Sequence, residues 1–259
     1  MGKKYQNSKD SRHLYSKEYF LSHATGHTEY EEFDGSLEKL IDKFRFIISA
    51  IELHQGDELL DIGCGRGEIV IYHAANGGSA TGVDFSEDAL KIAQEKAAKL
   101  GVACKFIAMS FEDIPDSPKY DKIVALDFIE HISREEGSSF FKKCYSLLKP
   151  GGKLLVYTFP NTLRRKYGYK LLRAFSILKG RPLPKKEPDT ISEHYKKYHL
   201  NEQNLFTLKS LAILGGFSKI NINYYDPSLL DSGIKTLLAK TPVKHLFLKG
   251  LTLIAGKQL

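Results

Sequence analysis

The sequence has little cysteine and no long apolar run. Its three cysteines, Cys64, Cys104 and Cys144, are far apart, and none has a second Cys or His at metal-ligand spacing, so neither a disulfide framework nor a zinc or other metal site is expected. No apolar stretch approaches the roughly 18 to 20 residues that cross a bilayer. Met1 to Tyr5 lead into polar sequence without the apolar centre of a signal peptide. A soluble, cytoplasmic protein with reduced thiols is the expectation. Internal repeats and low-complexity linkers are also missing, so the 259 residues are read as a single domain, 1–259, with an arm at 1–35 and an insertion at 160–200. With 42% apolar and 27% charged residues, the composition is too ordinary for disorder, collagen or coiled coil.

Acid is missing from one place in particular. Residues 164 to 186 hold nine Lys or Arg and neither Asp nor Glu. Taking these nine from the 38 basic residues leaves 29 against 31 acidic ones, a balance of −2 under a formal total of +7. A general basic coat for nucleic acid is thereby disfavoured, and no nucleic-acid partner is expected. Inside the segment, Leu163, Tyr167, Leu171, Ala174, Phe175 and Leu178 share one helical stripe, with Arg164, Arg165, Lys170 and Arg173 largely elsewhere. Such a helix suits an anionic substrate or, through residues 163–186, peripheral contact with an anionic membrane at its inner face. The preferred alternative is a lid that packs its stripe on the domain.

Along the rest of the chain, helical and strand patterns alternate. Leu37, Leu40, Ile41, Phe44, Ile47, Ile48 and Ile51 predict a helix capped by Ser36. Strands follow at 58–62, 79–83, 105–109, 122–126, 153–159, 217–223 and 251–255, and helices at 68–76, 86–100, 134–148 and 201–214. Strands separated by helices of this length predict an α/β fold of βαβ units around a parallel sheet.

The chemistry concentrates at Leu59-Leu60-Asp61-Ile62-Gly63-Cys64-Gly65-Arg66-Gly67-Glu68. A strand that ends in Asp and meets three alternating glycines turns sharply and lets a ligand lie against bare backbone. The spacing G-x-G-x-G differs from the G-x-G-x-x-G of dinucleotide sites. Asp84, 17 residues after Gly67 and at the end of the next strand, suits the two hydroxyls of a ribose, or else caps the following helix.

Together with TGVDFS, YDKIVALDFIEHI and LLKPGGKLLVYTFPN, this stretch resembles the class I S-adenosylmethionine-dependent methyltransferases over residues 56–160. The resemblance implies a Rossmann-like, seven-stranded, mostly parallel sheet with helices on both faces and the last strand antiparallel. It implies S-adenosylmethionine as cofactor, with Asp61, Gly63, Gly65 and Gly67 around its methionine part, Asp84 at the ribose hydroxyls, and Cys64, Phe85, Ser110, Phe111 and Asp127 completing the site. Ser110 stands where the family usually carries an acid for the adenine amino group, and Phe111 either flanks adenine or is a core aromatic.

On the acceptor side, Glu130 and His131 fall where the family faces the reacting methyl, and His131 has the intrinsic pKa of a base near neutrality. His199 and Tyr195 belong to a stretch ending His199-Leu200-Asn201-Glu202-Gln203, similar to one in bacterial methyltransferases of glycan biosynthesis. His131 and His199 are the candidate catalytic residues, Glu130 and Tyr195 the candidate substrate-binding ones. In the other reading Asn201 caps a helix and His199 is structural. The expected activity is methylation of a small-molecule or glycan acceptor, at oxygen before nitrogen. The alternatives are N-methylation of an amino sugar or other metabolite, an RNA or carrier-bound acceptor, and a cofactor-binding subunit without catalysis.

Overall fold

The computed structural model describes residues 12–178, 180–187, 199–225 and 241–258. Its frame is a seven-stranded sheet built from β1 (Glu58–Ile62), β2 (Ser79–Asp84), β3 (Lys105–Ala108), β4 (Tyr120–Leu126), β5 (Leu148–Thr158), β6 (Lys219–Tyr225) and β7 (Gly250–Gly256). The order is β3-β2-β1-β4-β5-β7-β6. All neighbours are parallel except at β7, which runs antiparallel to both β5 and β6. The chain thus reverses its strand order beside β1, which is where ligands of open α/β sheets bind.

Helices cover both faces: α1 (Lys17–Ser22), α2 (Asp42–Ile51), α3 (Glu68–Ala75), α4 (Glu87–Lys99), α5 (Arg134–Leu147), α6 (Tyr169–Leu178) and α7 (Leu205–Leu214). Successive strand residues point to opposite faces, and the core divides accordingly. Ile123 and Leu154 pack with Phe140, Phe141 and Leu147 of α5 and Leu208 of α7. Val124 and Leu155 pack with Ile47 and Ile51 of α2 and Ile69 and Val70 of α3. Local caps fix the helix starts. Ser86 Oγ accepts from Ala89 N at 3.3 Å, and Ser133 and Glu136 form a reciprocal capping box at the head of α5.

Four expectations from the sequence are corrected. The helix expected from Ser36 begins only at Asp42, because Asp34 Oδ1 accepts from Ser36 N at 2.9 Å and holds a turn there. The helix expected from Asn201 begins at Leu205, capped by Asn204. Asn201 is buried instead, its Nδ2 donating to the carbonyls of Ile129 and Ser133. The apolar stripe of the insertion is not packed away: Tyr167, Leu171 and Leu178 are 57%, 54% and 84% exposed. The chain enters α6 through a π turn, Arg164–Gly168, whose wider turn shifts the face that a 3.6-residue period projects. The buried face runs through Arg164, Gly168 and Tyr169. A Cβ on Gly168 would lie 1.5 Å from the Leu246 carbonyl oxygen, so only glycine admits this approach.

The fourth concerns charge. Arg164, read as part of a basic face suited to an anionic partner, is 4% exposed, and its Nε donates to Glu187 at 2.7 Å. Arg165 pairs with Glu202. Glu187 lies one residue beyond the acid-free window and Glu202 further along the chain.

Candidate functional site

Parallel register brings three acid-bearing strand ends together. Asp61 of β1 lies opposite Gly82 of β2 and Val124 of β4, so Asp61, Asp84 and Asp127 converge where the strands end. The glycine-rich turn is hung on β2, with Gly63 N and Cys64 N both donating to the Val83 carbonyl at 2.7 and 3.1 Å. Gly63 and Gly65 have φ of 74° and 52°, the left-handed region that other residues adopt only at a cost. Above the turn is a cavity of about 420 Å³. Asp61, Gly63, Cys64, Gly65, Asp84, Phe85, Ser110, Phe111, Asp127, Glu130, His131 and His199 all line it.

One of the expected residues stands elsewhere, and one cannot be placed. Gly67 is not among the lining residues. It precedes α3 at φ 76°, and a Cβ there would meet Phe106 at 2.5 Å, so packing explains this glycine. Tyr195 lies outside the described residues.

The carboxyls are buried and oriented. Asp84, 8% exposed, accepts from Gly65 N and Ser86 N, each at 2.9 Å. Its carboxyl titrates above the usual range because burial outweighs those two bonds. Asp61 is held well above it by burial, then by the nearby carboxyls of Glu68 and Asp84. Glu130 is pushed up to about 8 by burial and then by Asp127, against the bonds it accepts from Thr158 Oγ1 at 2.9 Å and Phe159 N at 3.3 Å. Asp127 has φ 49° and is paired with Lys43 of α2.

Elsewhere on the cavity lining, the rings of His131 and His199 meet edge to face at 5.0 Å. Burial, then the charges of His131 and Arg165, lowers the His199 pKa to about 2, which keeps that imidazole neutral. Leu200 N and Asn201 N both donate to the Glu130 carbonyl at 2.7 and 3.0 Å, so the stretch after His199 braces the loop that carries Glu130 and His131. Phe111 lines the cavity and is also a core ring, edge-on to Phe128 and Phe140. The core reading holds, and the ring also faces the cavity.

The arm at 1–35 contributes more than its sequence suggested. Tyr15, Tyr19 and Phe20 line the cavity. Phe20 is held there by Arg66 of the glycine-rich turn, 3% exposed, which donates to the carbonyls of Phe20 and Thr25 at 3.0 and 2.7 Å and to Glu68 at 2.6 Å. Ser86 Oγ donates to the Tyr15 carbonyl at 2.9 Å. An arginine among three glycines was the available signal, but its partners lie 41 and 46 residues earlier. Among the described residues no cluster of His, Cys, Asp or Glu could hold a metal ion, and no helix is long and apolar enough to cross a membrane.

Known proteins resemble this arrangement. The family profile described as mycolic acid cyclopropane synthetase matches residues 5–205. Sphingolipid C9-methyltransferase 1 of Gibberella zeae is 30% identical over 126 residues, covering 47% of this chain and 25% of its own. A ubiquinone biosynthesis O-methyltransferase of Alkalilimnicola ehrlichii is 31% identical over 130 residues, covering 49% of this chain and 51% of its own. The chain therefore spans from a quarter to about half the length of these relatives. Among solved structures, phosphoethanolamine N-methyltransferase 2 of Haemonchus contortus superposes with a TM-score of 0.60 at 20% identity, over 94% of this chain and 60% of its own. Magnesium protoporphyrin IX methyltransferase of Synechocystis, with S-adenosylhomocysteine bound, gives 0.55 at 19%, over 96% and 100%. At these identities the likeness is one of fold.

Proposed function

The chain belongs to the mycolic acid cyclopropane synthetase family of class I S-adenosylmethionine-dependent methyltransferases, and from that premise we propose that it methylates an oxygen of a small-molecule acceptor. The observation that carries the reading is the buried Asp84 carboxylate, fixed by Gly65 N and Ser86 N over a glycine turn that lines the cavity. Its unused lone pairs suit two vicinal hydroxyls of a ribose. The donor set also fits a cation, because carboxyls that burial has pushed upward are relieved by a nearby positive charge. Gly63, Cys64 and Gly65 are proposed at the methionine part, Phe85, Ser110 and Phe111 around the adenosine.

When bound, S-adenosylmethionine supplies a methyl on a sulfonium that leaves as a neutral thioether. The protein's task is then to align the acceptor and take its proton. His131 would take the proton of the acceptor hydroxyl as that oxygen is methylated. His199, neutral and a weak base, positions the His131 ring by its edge contact. The ubiquinone-biosynthesis relatives support oxygen as the methylated atom.

The anionic partner is read as a membrane surface. Tyr167, Leu171 and Leu178 stand exposed beside Lys166 and Lys170 on the helix that leaves the sheet after β5, as on helices that lie in a lipid interface. The test of the activity is transfer of labelled methyl from S-adenosylmethionine to cell extract, with the product's mass identifying the acceptor. A protein that ignores S-adenosylmethionine and binds NAD overturns the reading.

A further inference from the structure

A second cleft opens beside the first cavity. It encloses about 920 Å³ between the arm at 25–32, the chain entering α2, and the ends of β5 and β6. Thr25, Asp127 and Phe159 line both spaces, so the two meet at the end of β4, beside the proposed methyl donor. At this junction Lys43, 7% exposed, pairs with Asp127 and lies 5.1 Å from the centre of the Tyr157 ring. Tyr157 is 6.2 Å from Tyr225. Tyr157, Phe159 and Tyr225 thus make an aromatic floor, with Leu40 and Ile41 beside it.

The charges around the floor are balanced. Lys39 meets Glu32 at 3.1 Å, Arg45 pairs with Asp42, and Lys43 pairs with Asp127. With Lys249, Glu29 and Glu38 included, the lining holds four cations and five acids. The described lining therefore carries no excess of positive charge, and burying an anion without a dedicated cation is costly.

We propose that this cleft seats the methyl acceptor, and that the acceptor is an uncharged molecule with an aromatic body whose hydroxyl passes Asp127 toward the donor. The proposal rests on the methyltransferase reading and adds to it the acceptor's place and chemistry. It also separates two roles that the basic segment had joined, leaving negative charge to the surface that meets α6.

The test loads the protein with S-adenosylhomocysteine and titrates two probes, 4-propylphenol and 4-hydroxybenzoate, by saturation-transfer NMR. The phenol is expected to bind, and the benzoate about tenfold more weakly or worse. Tyr225→Ala should weaken the phenol about fivefold, the scale of a lost ring contact, and Ile41→Arg should abolish its binding, both with unchanged affinity for S-adenosylhomocysteine. A wild type that rejects the phenol, or prefers the benzoate, overturns the proposal without any variant. So does phenol binding that is indifferent to both substitutions. Failure to bind S-adenosylhomocysteine would instead bring down the methyltransferase reading itself.

Discussion

The Arg66 guanidinium donates to the Thr25 carbonyl oxygen at 2.7 Å, joining the glycine-rich turn to an arm 41 residues earlier. The same group reaches Phe20 and Glu68 and stacks 4.5 Å from the Tyr30 ring. One side chain therefore binds the floor of the cavity to the arm that lines it.

For Arg66→Gln the expected outcome is a loss of about 3 kcal/mol in unfolding free energy, because Glu68 is left buried without its cation. Faster release of S-adenosylmethionine should accompany it. Denaturant titration reads the first and stopped-flow displacement the second. An unchanged release rate would mean that the arm does not govern exchange.

Asp84→Ala should weaken S-adenosylmethionine by ~1.5 to 3 kcal/mol through loss of charge-assisted bonds to the ribose. Asp84→Asn, which keeps the shape and one acceptor oxygen, should weaken it less. Calorimetric titration of both variants measures the difference. Equal affinity in all three proteins would remove Asp84 from the site.

Much of this site was legible because its determinants are local. A strand ending in Asp61, the glycines behind it, and Asp84 followed by a capping Ser86 are patterns of a few residues whose geometry is set by backbone sterics and near hydrogen bonds. What could not be read depends on distant partners. Glu187 neutralises Arg164 from one residue beyond the acid-free window, the π turn rotates α6 out of its counted phase, and the second cleft is assembled from the arm, α2 and two strand ends. Asn201 shows the same limit: it has the chemistry of a cap, but two carbonyls from the Glu130 loop claim its side chain.

The buried carboxyls couple ligand binding to protons. Asp61, Asp84 and Glu130 titrate above the usual carboxylate range, Glu130 near 8, so the ligand-free fold holds protons that the unfolded chain releases. Its stability should fall as pH rises from about 4 toward 8. A cationic ligand favours the ionised carboxylates, so binding should release protons and S-adenosylmethionine should bind more tightly across the same rise in pH. S-adenosylhomocysteine, lacking the sulfonium, should show a weaker dependence, and Glu130→Gln should flatten both curves. Calorimetry in buffers of different ionisation enthalpy counts the protons, and absent or inverted proton release would contradict the scheme.

The exposed face of α6 yields a test in which charge and apolar contact separate. Lys166 and Lys170 are exposed, so changing both to Gln should leave folding and cofactor binding intact, since exposed charges contribute little to stability. Each lysine near an anionic bilayer is worth about 1 kcal/mol, so the double variant should partition to vesicles containing phosphatidylserine roughly 30-fold more weakly at low salt. That difference should shrink toward physiological ionic strength, where screening acts beyond about 8 to 10 Å. Replacing Leu171 and Leu178 with Ser should weaken partitioning at every salt concentration, because the apolar contribution is not screened. Cosedimentation with neutral and anionic vesicles, at low and high salt, distinguishes the two effects. If wild type and both variants sediment alike, α6 is not a membrane-docking helix, and the basic segment is then a solvated surface with two of its arginines committed to internal pairs.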